Sequence, residues 1–242
     1  MNKALTLGLL ATALAGFSLS PALAGDQNIL VLQQDGAANT ISIDQQKATG
    51  SQVGGVNFIE ATPLESSEFE VMDMSNPLQI TEGLQNPIVQ QGDGNSATIT
   101  VEGDEDVVYL NQNSQGQPTG NNADIYVNSG TADPSFAAVV QNGAGNNASV
   151  SINGSLSNGT ILQNGSNNQG SIDVDGNNVT ASLTQVGSDN DSQLVAQGAS
   201  TSATGVDGAN VSYTLYANGV TTTQPVTVTT NGASVSITQT QF

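Results

Sequence analysis

Gln141-Asn142-Gly143-Ala144-Gly145-Asn146, Gln163-Asn164-Gly165-Ser166-Asn167-Asn168 and Gln185-Val186-Gly187-Ser188-Asp189-Asn190 are three copies of one phrase, glutamine-x-glycine-x-x-asparagine. Their glutamines, glycines and asparagines each recur every 22 residues. A fixed period in this range marks an array in which each repeat is one supersecondary unit. Runs of period two flank each phrase: Ala137 and Val139 before Gln141, with Ala148, Val150 and Ile152 after Asn146. Ile161 precedes the second copy and Ile172 and Val174 follow it; Ala181 and Leu183 precede the third, followed by Ser192 and Leu194. Alternation of this kind predicts strands with one buried face, the polar Ser149, Ser151, Ser171, Asp173, Ser182 and Thr184 facing out. Each unit therefore reads strand, glycine-bearing arc, strand, turn. Gly143, Gly165 and Gly187 suit an arc that needs positive φ, and Asn146, Asn168 and Asn190 tolerate one. The expected fold is an all-β solenoid of stacked strand-arc-strand repeats of about 22 residues.

Upstream, the phrase occurs at Gln34, Gly36 and Asn39, with Ile41, Ile43 and Gln45 following in step. It occurs again at Gln52, Gly54 and Asn57, which reads as a shortened unit 18 residues on. Residues 25–59 are thus expected to be N-terminal repeats. Residues 60–83 break the pattern with six acids and two prolines, Pro63 and Pro77, and are expected to loop off one side of the stack. The phrase returns at Gln90, Gly92 and Asn95. On the 22-residue beat comes Gln112, whose arc is swollen by residues 114–119 before Asn121. Residues 84–196 form the main array. From 197 to 242 the phrase is lost while alternation persists at Val211, Tyr213 and Leu215 and again at Val235 and Ile237, so degenerate strands forming a cap are expected.

The first 24 residues are expected to be a secretory signal peptide: Lys3 supplies the positive start, an apolar run follows, and Ala22-Leu23-Ala24 has the small-residue cleavage pattern. Cleavage would leave Lys47 as the sole basic residue against 21 acids, taking the net charge from −19 to −20. Such a chain cannot neutralise phosphates, so nucleic acid is not an expected partner, and docking on anionic lipid is disfavoured. No later stretch is long and apolar enough for a spanning helix, so no membrane insertion is expected. The chain lacks cysteine, histidine and tryptophan. That removes disulfides, triads, cysteine nucleophiles and imidazole-bound zinc from consideration, and no catalytic, cofactor or metal site is expected. Glu102, Asp104, Glu105 and Asp106 are the densest acidic cluster and read as solvated acids of a turn. Asp173-Val174-Asp175-Gly176 resembles part of a calcium loop but has its glycine misplaced for an EF-hand.

The repeated phrase, its 22-residue beat and the preceding secretory leader together resemble the curlin repeat, whose family forms curli, the extracellular functional amyloid of bacterial biofilms. The resemblance covers roughly residues 30–196. It implies export through a dedicated outer-membrane channel, polymerisation begun by a related nucleating subunit, an extracellular fibre of many copies, and roles in adhesion and matrix. It also implies a glutamine near the end of each second strand, which is present as Gln45 and replaced by Val101.

Stacked repeats would set Gln34, Gln52, Gln90, Gln112, Gln141, Gln163 and Gln185 above one another at the strand spacing of about 4.8 Å. The same holds for Asn39, Asn57, Asn95, Asn121, Asn146, Asn168 and Asn190, with Gly36, Gly54, Gly92, Gly143, Gly165 and Gly187 in the arcs. Interior amides in such ladders satisfy one another, whereas those at the ends lack partners. The expected function is a secreted structural subunit that polymerises end to end. The alternative is a secreted solenoid adhesin that does not polymerise.

Overall fold

The computed structural model describes residues 6–11, 18–19, 23–24, 28–54, 87–130, 134–197, 201–206, 208, 210–217, 226–232 and 234–241. Every regular element among them is a strand, and all pairings between strands are parallel. The first sheet contains β1 (Thr6–Ala11), β4 (Ile29–Asp35), β6 (Gln52–Val53), β7 (Ile88–Gly92), β9 (Val107–Ser114), β11 (Phe136–Ala144), β13 (Asn158–Ser166), β15 (Thr180–Ser188), β17 (Thr201–Val206) and β19 (Val226–Asn231). The second contains β2 (Ser18–Leu19), β3 (Leu23–Ala24), β5 (Thr40–Gln45), β8 (Ser96–Val101), β10 (Asn122–Asn128), β12 (Asn147–Asn153), β14 (Gln169–Asp175), β16 (Asp191–Gln197), β18 (Asn210–Ala217) and β20 (Ser234–Gln241). From β4 onward the chain passes alternately between the sheets, β6 and β7 together taking one place in the first, and each strand lies beside its counterpart one turn later. That is a β-solenoid, and its regular part keeps the 22-residue beat: Gln141 pairs with Gln163 and Gln163 with Gln185.

The alternation seen in the sequence is what makes the two sheets pack. Inward positions stack like on like along the axis. In the second sheet Ile43, Ile99, Ile125, Val150, Ile172 and Leu194 form one buried column. In the first, Leu110, Val139, Ile161 and Leu183 form another. Aliphatic side chains of nearly equal size stacked in register fill a thin core without large aromatics, each full burial contributing about 1.5–3 kcal/mol. Outward positions of the second sheet form a polar column, Ser42, Thr98, Asp124, Ser149, Ser171 and Gln193.

The structure corrects the expected shortened unit. Gln52 does not follow Gln34 in the stack: it pairs with Ile29 on one side and Val107 on the other, at the start of a strand. Gln34 pairs instead with Gln90, and Gln90 with Gln112. Strands β6 and β7 are therefore two halves of one rung, with residues 55–86 leaving from its middle. The Gln52-x-Gly54 match was misleading because a local phrase carries no information about where along a strand it sits. Gly54, with φ +72, is where the chain departs the rung, not an arc position. Asn57 and the acidic 60–83 stretch lie outside the described residues, as do most of residues 1–24.

The expected C-terminal strands are present without the phrase: β17 and β18 pair onto β15 and β16, and β19 and β20 continue both sheets as the last strands among the described residues. At the other end, the described parts of residues 1–24 lie on the first turn as strands, β1 on β4 and β2 and β3 on β5.

Candidate functional site

Six glutamines form one buried column: Gln34, Gln90, Gln112, Gln141, Gln163 and Gln185. Each sits where the first strand enters the arc, facing inward, so no water reaches its amide. The Nε2 of each donates to the Oε1 of the next. These bonds are 2.8 Å from Gln90 to Gln112, 2.9 Å from Gln112 to Gln141, 2.9 Å from Gln141 to Gln163 and 2.8 Å from Gln163 to Gln185. Gln34 donates to Gln90 in the same sense. The second N–H points back to the carbonyl that opens the second strand of the preceding turn: Gln112 to Ser96 at 2.9 Å, Gln141 to Asn122 at 2.8 Å, Gln163 to Asn147 at 2.8 Å and Gln185 to Gln169 at 2.7 Å. One side chain thus binds its successor and locks the previous arc. Burial costs the amides of Gln90, Gln112, Gln141 and Gln163 little because both donors and the acceptor of each are met.

The asparagines make a second column with the opposite polarity. The Oδ1 of Asn39 accepts from the backbone N–H of Asn95 at 2.8 Å, and that of Asn95 from Asn121 at 2.9 Å. Asn121, Asn146 and Asn168 each accept both the N–H and the side-chain Nδ2 of the next asparagine, at 2.7–3.1 Å. Their own Nδ2 groups reach the arc carbonyls of Gly143, Gly165 and Gly187 at 2.9–3.0 Å. The arcs themselves need glycine. Gly143 and Gly165 have φ of +120 and +133, and a Cβ on either would overlap the carbonyl oxygen of the glycine one turn on. Gly36, Gly92 and Gly187 occupy the same corner with φ of +124, +88 and +92. On the turn of Gln112, Ser114 replaces glycine, and the backbone detours through residues 115–120 before Asn121.

Gln52 and Gly54 belong to neither column, and Asn57 lies outside the described residues. Gln112 and Asn121 take their expected places. The second-strand glutamine implied by the resemblance is buried at Gln45, and in the following turns its place is held by Val101, Val127, Ile152 and Val174.

A third column, at the opposite corner, was not read from the sequence. Asn28, Ser51, Asp106, Ser135 and Ser157 each stand just before a first strand and are buried. The side-chain oxygen of each accepts the N–H of its counterpart one turn later: Asn28 from Ser51 at 2.9 Å, Ser51 from Asp106 at 3.0 Å, Asp106 from Ser135 at 2.8 Å, Ser135 from Ser157 at 3.0 Å and Ser157 from Val179 at 3.1 Å. Val179 has no side-chain oxygen and ends it. The signal was present in the 22-residue spacing of Ser135 and Ser157, though too small to separate from a serine-rich background.

Asp106 is the exception to the expectation that the acids of residues 102–106 are solvated. It is fully buried, and its Oδ2 has no hydrogen-bond partner. Burial pushes its carboxyl above the usual range, against the pull of the Ser135 N–H and Ser129. Glu102, by contrast, lies at the surface in a 2.6 Å ion pair with Lys47 and accepts the Tyr126 hydroxyl at 3.1 Å. The Lys47 hydrogen bond holds the Glu102 carboxyl below its ordinary value. No group of three or more potential metal-ligating side chains occurs among the described residues.

The arrangement binds by repetition. Every interior rung meets its neighbours through backbone, glutamine, asparagine and corner oxygen, and any surface that presents the same rung completes the same bonds. At the N-terminal end the glutamine column stops with a buried oxygen, Gln34 Oε1, that has no partner. At the C-terminal end it runs out into Gly205 and Thr230, beside strands β19 and β20 that close neither sheet. Comparisons with protein-family models, with curated proteins and with solved structures find no match for this chain.

Proposed function

We propose that this chain is a secreted structural subunit of extracellular fibres of the curli kind, which grow by end-to-end addition of copies with strands across the fibre axis. The observation that supports it is the polarity of the columns. In the glutamine column each rung from Gln90 to Gln163 accepts from its predecessor and donates to its successor, whereas at the N-terminal end Gln34 Oε1 is buried with no partner. An unmet buried amide costs about 1–3 kcal/mol, and an added copy removes that cost while extending two parallel sheets. A related nucleating subunit and an outer-membrane channel of the curli type are the partners this reading carries, and adhesion and biofilm matrix are its setting. The high negative charge acts as a brake, since stacked copies bring like charges together. The experiment is direct: purified protein should form thioflavin-positive fibres with a meridional spacing of about 4.7–4.8 Å, and fragments of those fibres should seed more. A chain that stays monomeric under seeding would overturn the proposal and favour the adhesin.

A further inference from the structure

The two sheets of the solenoid differ in what they show to solvent. The second sheet carries acids on its outward side, Asp44, Asp124, Asp173, Asp175 and Asp191. The first sheet carries none along β7, β9, β11, β13 and β15, because those strands contain no charged residue at all. In a chain of net charge −19 this is a neutral face of unusual extent. Its outward side chains are small amides, hydroxyls and aliphatics. Val140 pairs with Leu162 across β11 and β13, and beside them stand Asn142, Asn164, Thr184 and Val186. None of these six is buried, and among the described residues no third sheet covers them. The rung of β6 and β7, from which residues 55–86 depart, lies outside this patch. Leu156, exposed at 49%, stands at the corner two residues before β13 with φ +55. In the register of the corner column other turns hold Gly50, Glu105 and Asn178 there. A leucine resists the left-handed region, so the fold itself does not ask for one at the rim of this face.

We infer that the outer face of the first sheet, over β9 to β15, pairs with the same face of a second copy of this chain, so that the fibre is two stacks back to back with their acidic sheets outward. This rests on the polymerisation reading above and adds a lateral partner to it. Charge selects the occupant. Two second sheets facing each other would set carboxylate against carboxylate, and a second sheet laid on a first would strip water from carboxylates with no cation to replace it. First sheet on first sheet avoids both. The side chains suit such a contact: Val140, Leu162 and Val186 exclude water, and the amides and hydroxyls around them offer donors and acceptors to their counterparts. Area decides when it forms. Four rungs at about 4.8 Å by three outward columns at about 6.7 Å give roughly 400 Å² per copy. The pair then buries about 800 Å², short of the roughly 1,200 Å² at which stable complexes begin. Single chains therefore stay unpaired, and stacking repeats the patch along the axis until many weak contacts act as one strong one.

Mass per unit length of the fibres, measured by scanning transmission electron microscopy, counts the stacks. Parent fibres should have twice the value of a single stack. Leu162→Asp should halve it while the fibres still grow from their own seeds, and Ser171→Asp, which adds the same charge to the second sheet, should leave it doubled. Leu162→Cys and Ser171→Cys give a second reading that adds no charge. In the free chain both thiols should react with a maleimide at similar rates; in fibres the thiol of Leu162→Cys should slow about tenfold, as in a dry interface, and that of Ser171→Cys should not change. Parent fibres with the mass of a single stack, or a thiol in Leu162→Cys as reactive in fibres as in the free chain, would overturn the pairing and leave this face to a partner of another kind. A parent chain that forms no fibres at all would overturn the polymerisation reading, and the inference with it.

Discussion

Replacing Gln163 with leucine tests whether the glutamine column works by mutual satisfaction. Gln163 accepts from Gln141 at 2.9 Å, donates to Gln185 at 2.8 Å and donates to the Asn147 carbonyl at 2.8 Å. Leucine in its place strips the donor from Gln185 Oε1 and the acceptor from one N–H of Gln141, both buried. At about 1–3 kcal/mol for each of the two orphaned groups, less about 1.5–3 kcal/mol returned by the leucine's own burial, the central values leave a loss of about 2 kcal/mol. Against a typical total of about 5–15 kcal/mol, that is a large fraction. The same substitution at Gln34 is the control. It orphans only Gln90 Oε1 and removes an oxygen that already lacks a partner, so its effect should stay within about 1 kcal/mol. Urea unfolding of both variants, followed by circular dichroism and compared at a common slope, reads the difference. Equal losses at the two sites would show that side-chain size, not position in a polar chain, sets the cost.

Gly165→Ala should destabilise by about 2–6 kcal/mol, because the new methyl meets the Gly187 carbonyl at a φ of +133, whereas Gly116→Ala, with φ +73 and open space around it, should cost about 1 kcal/mol. Thermal unfolding of the pair checks the contrast, and similar losses would mean the arc has room to relax. Asp106 gives a pH prediction. Its carboxyl is raised by burial, so between its ordinary value and the raised one the folded chain holds a proton that the unfolded chain has released. Its contribution to stability is therefore fully present below that window and lost as pH rises through it. Asp106→Asn keeps an oxygen for the Ser135 N–H without the charge and should be more stable than the parent at neutral pH, the gap closing on acidification; a gap independent of pH would refute this. Salt above about 0.15 M, or mildly acid pH, should speed fibre growth by screening or neutralising the acids, and growth unchanged under both would remove charge as the brake.

Much of the fold was legible because it repeats. The 22-residue beat fixes how Gln141, Gln163 and Gln185 stack, and the period of two fixes which faces meet. What escaped were features that depend on distant parts of the chain. The Gln52-x-Gly54 match looked like a rung because phrase and spacing are local, while the strand that holds it resumes only at Ile88. Asp106 looked like a turn acid because its neighbours Asp104 and Glu105 are acids; only the stacking of Ser51 on one side and Ser135 on the other buries it. The C-terminal strands, by contrast, were legible from the alternation at Val211, Tyr213 and Leu215 and at Val235 and Ile237, and backbone pairing carries both sheets through β19 and β20 without the phrase.

The column claim is open to one direct distance. The chain has no cysteine, so spin labels can be placed singly at Ser42 and Gln193, outward positions on the column through Thr98, Asp124, Ser149 and Ser171. Five rung spacings at about 4.8 Å place the labels about 24 Å apart, in one narrow distribution. A distribution centred near 29 Å would mean that Gln52 opens a turn of its own, and a broad one would mean that the rungs do not share an axis.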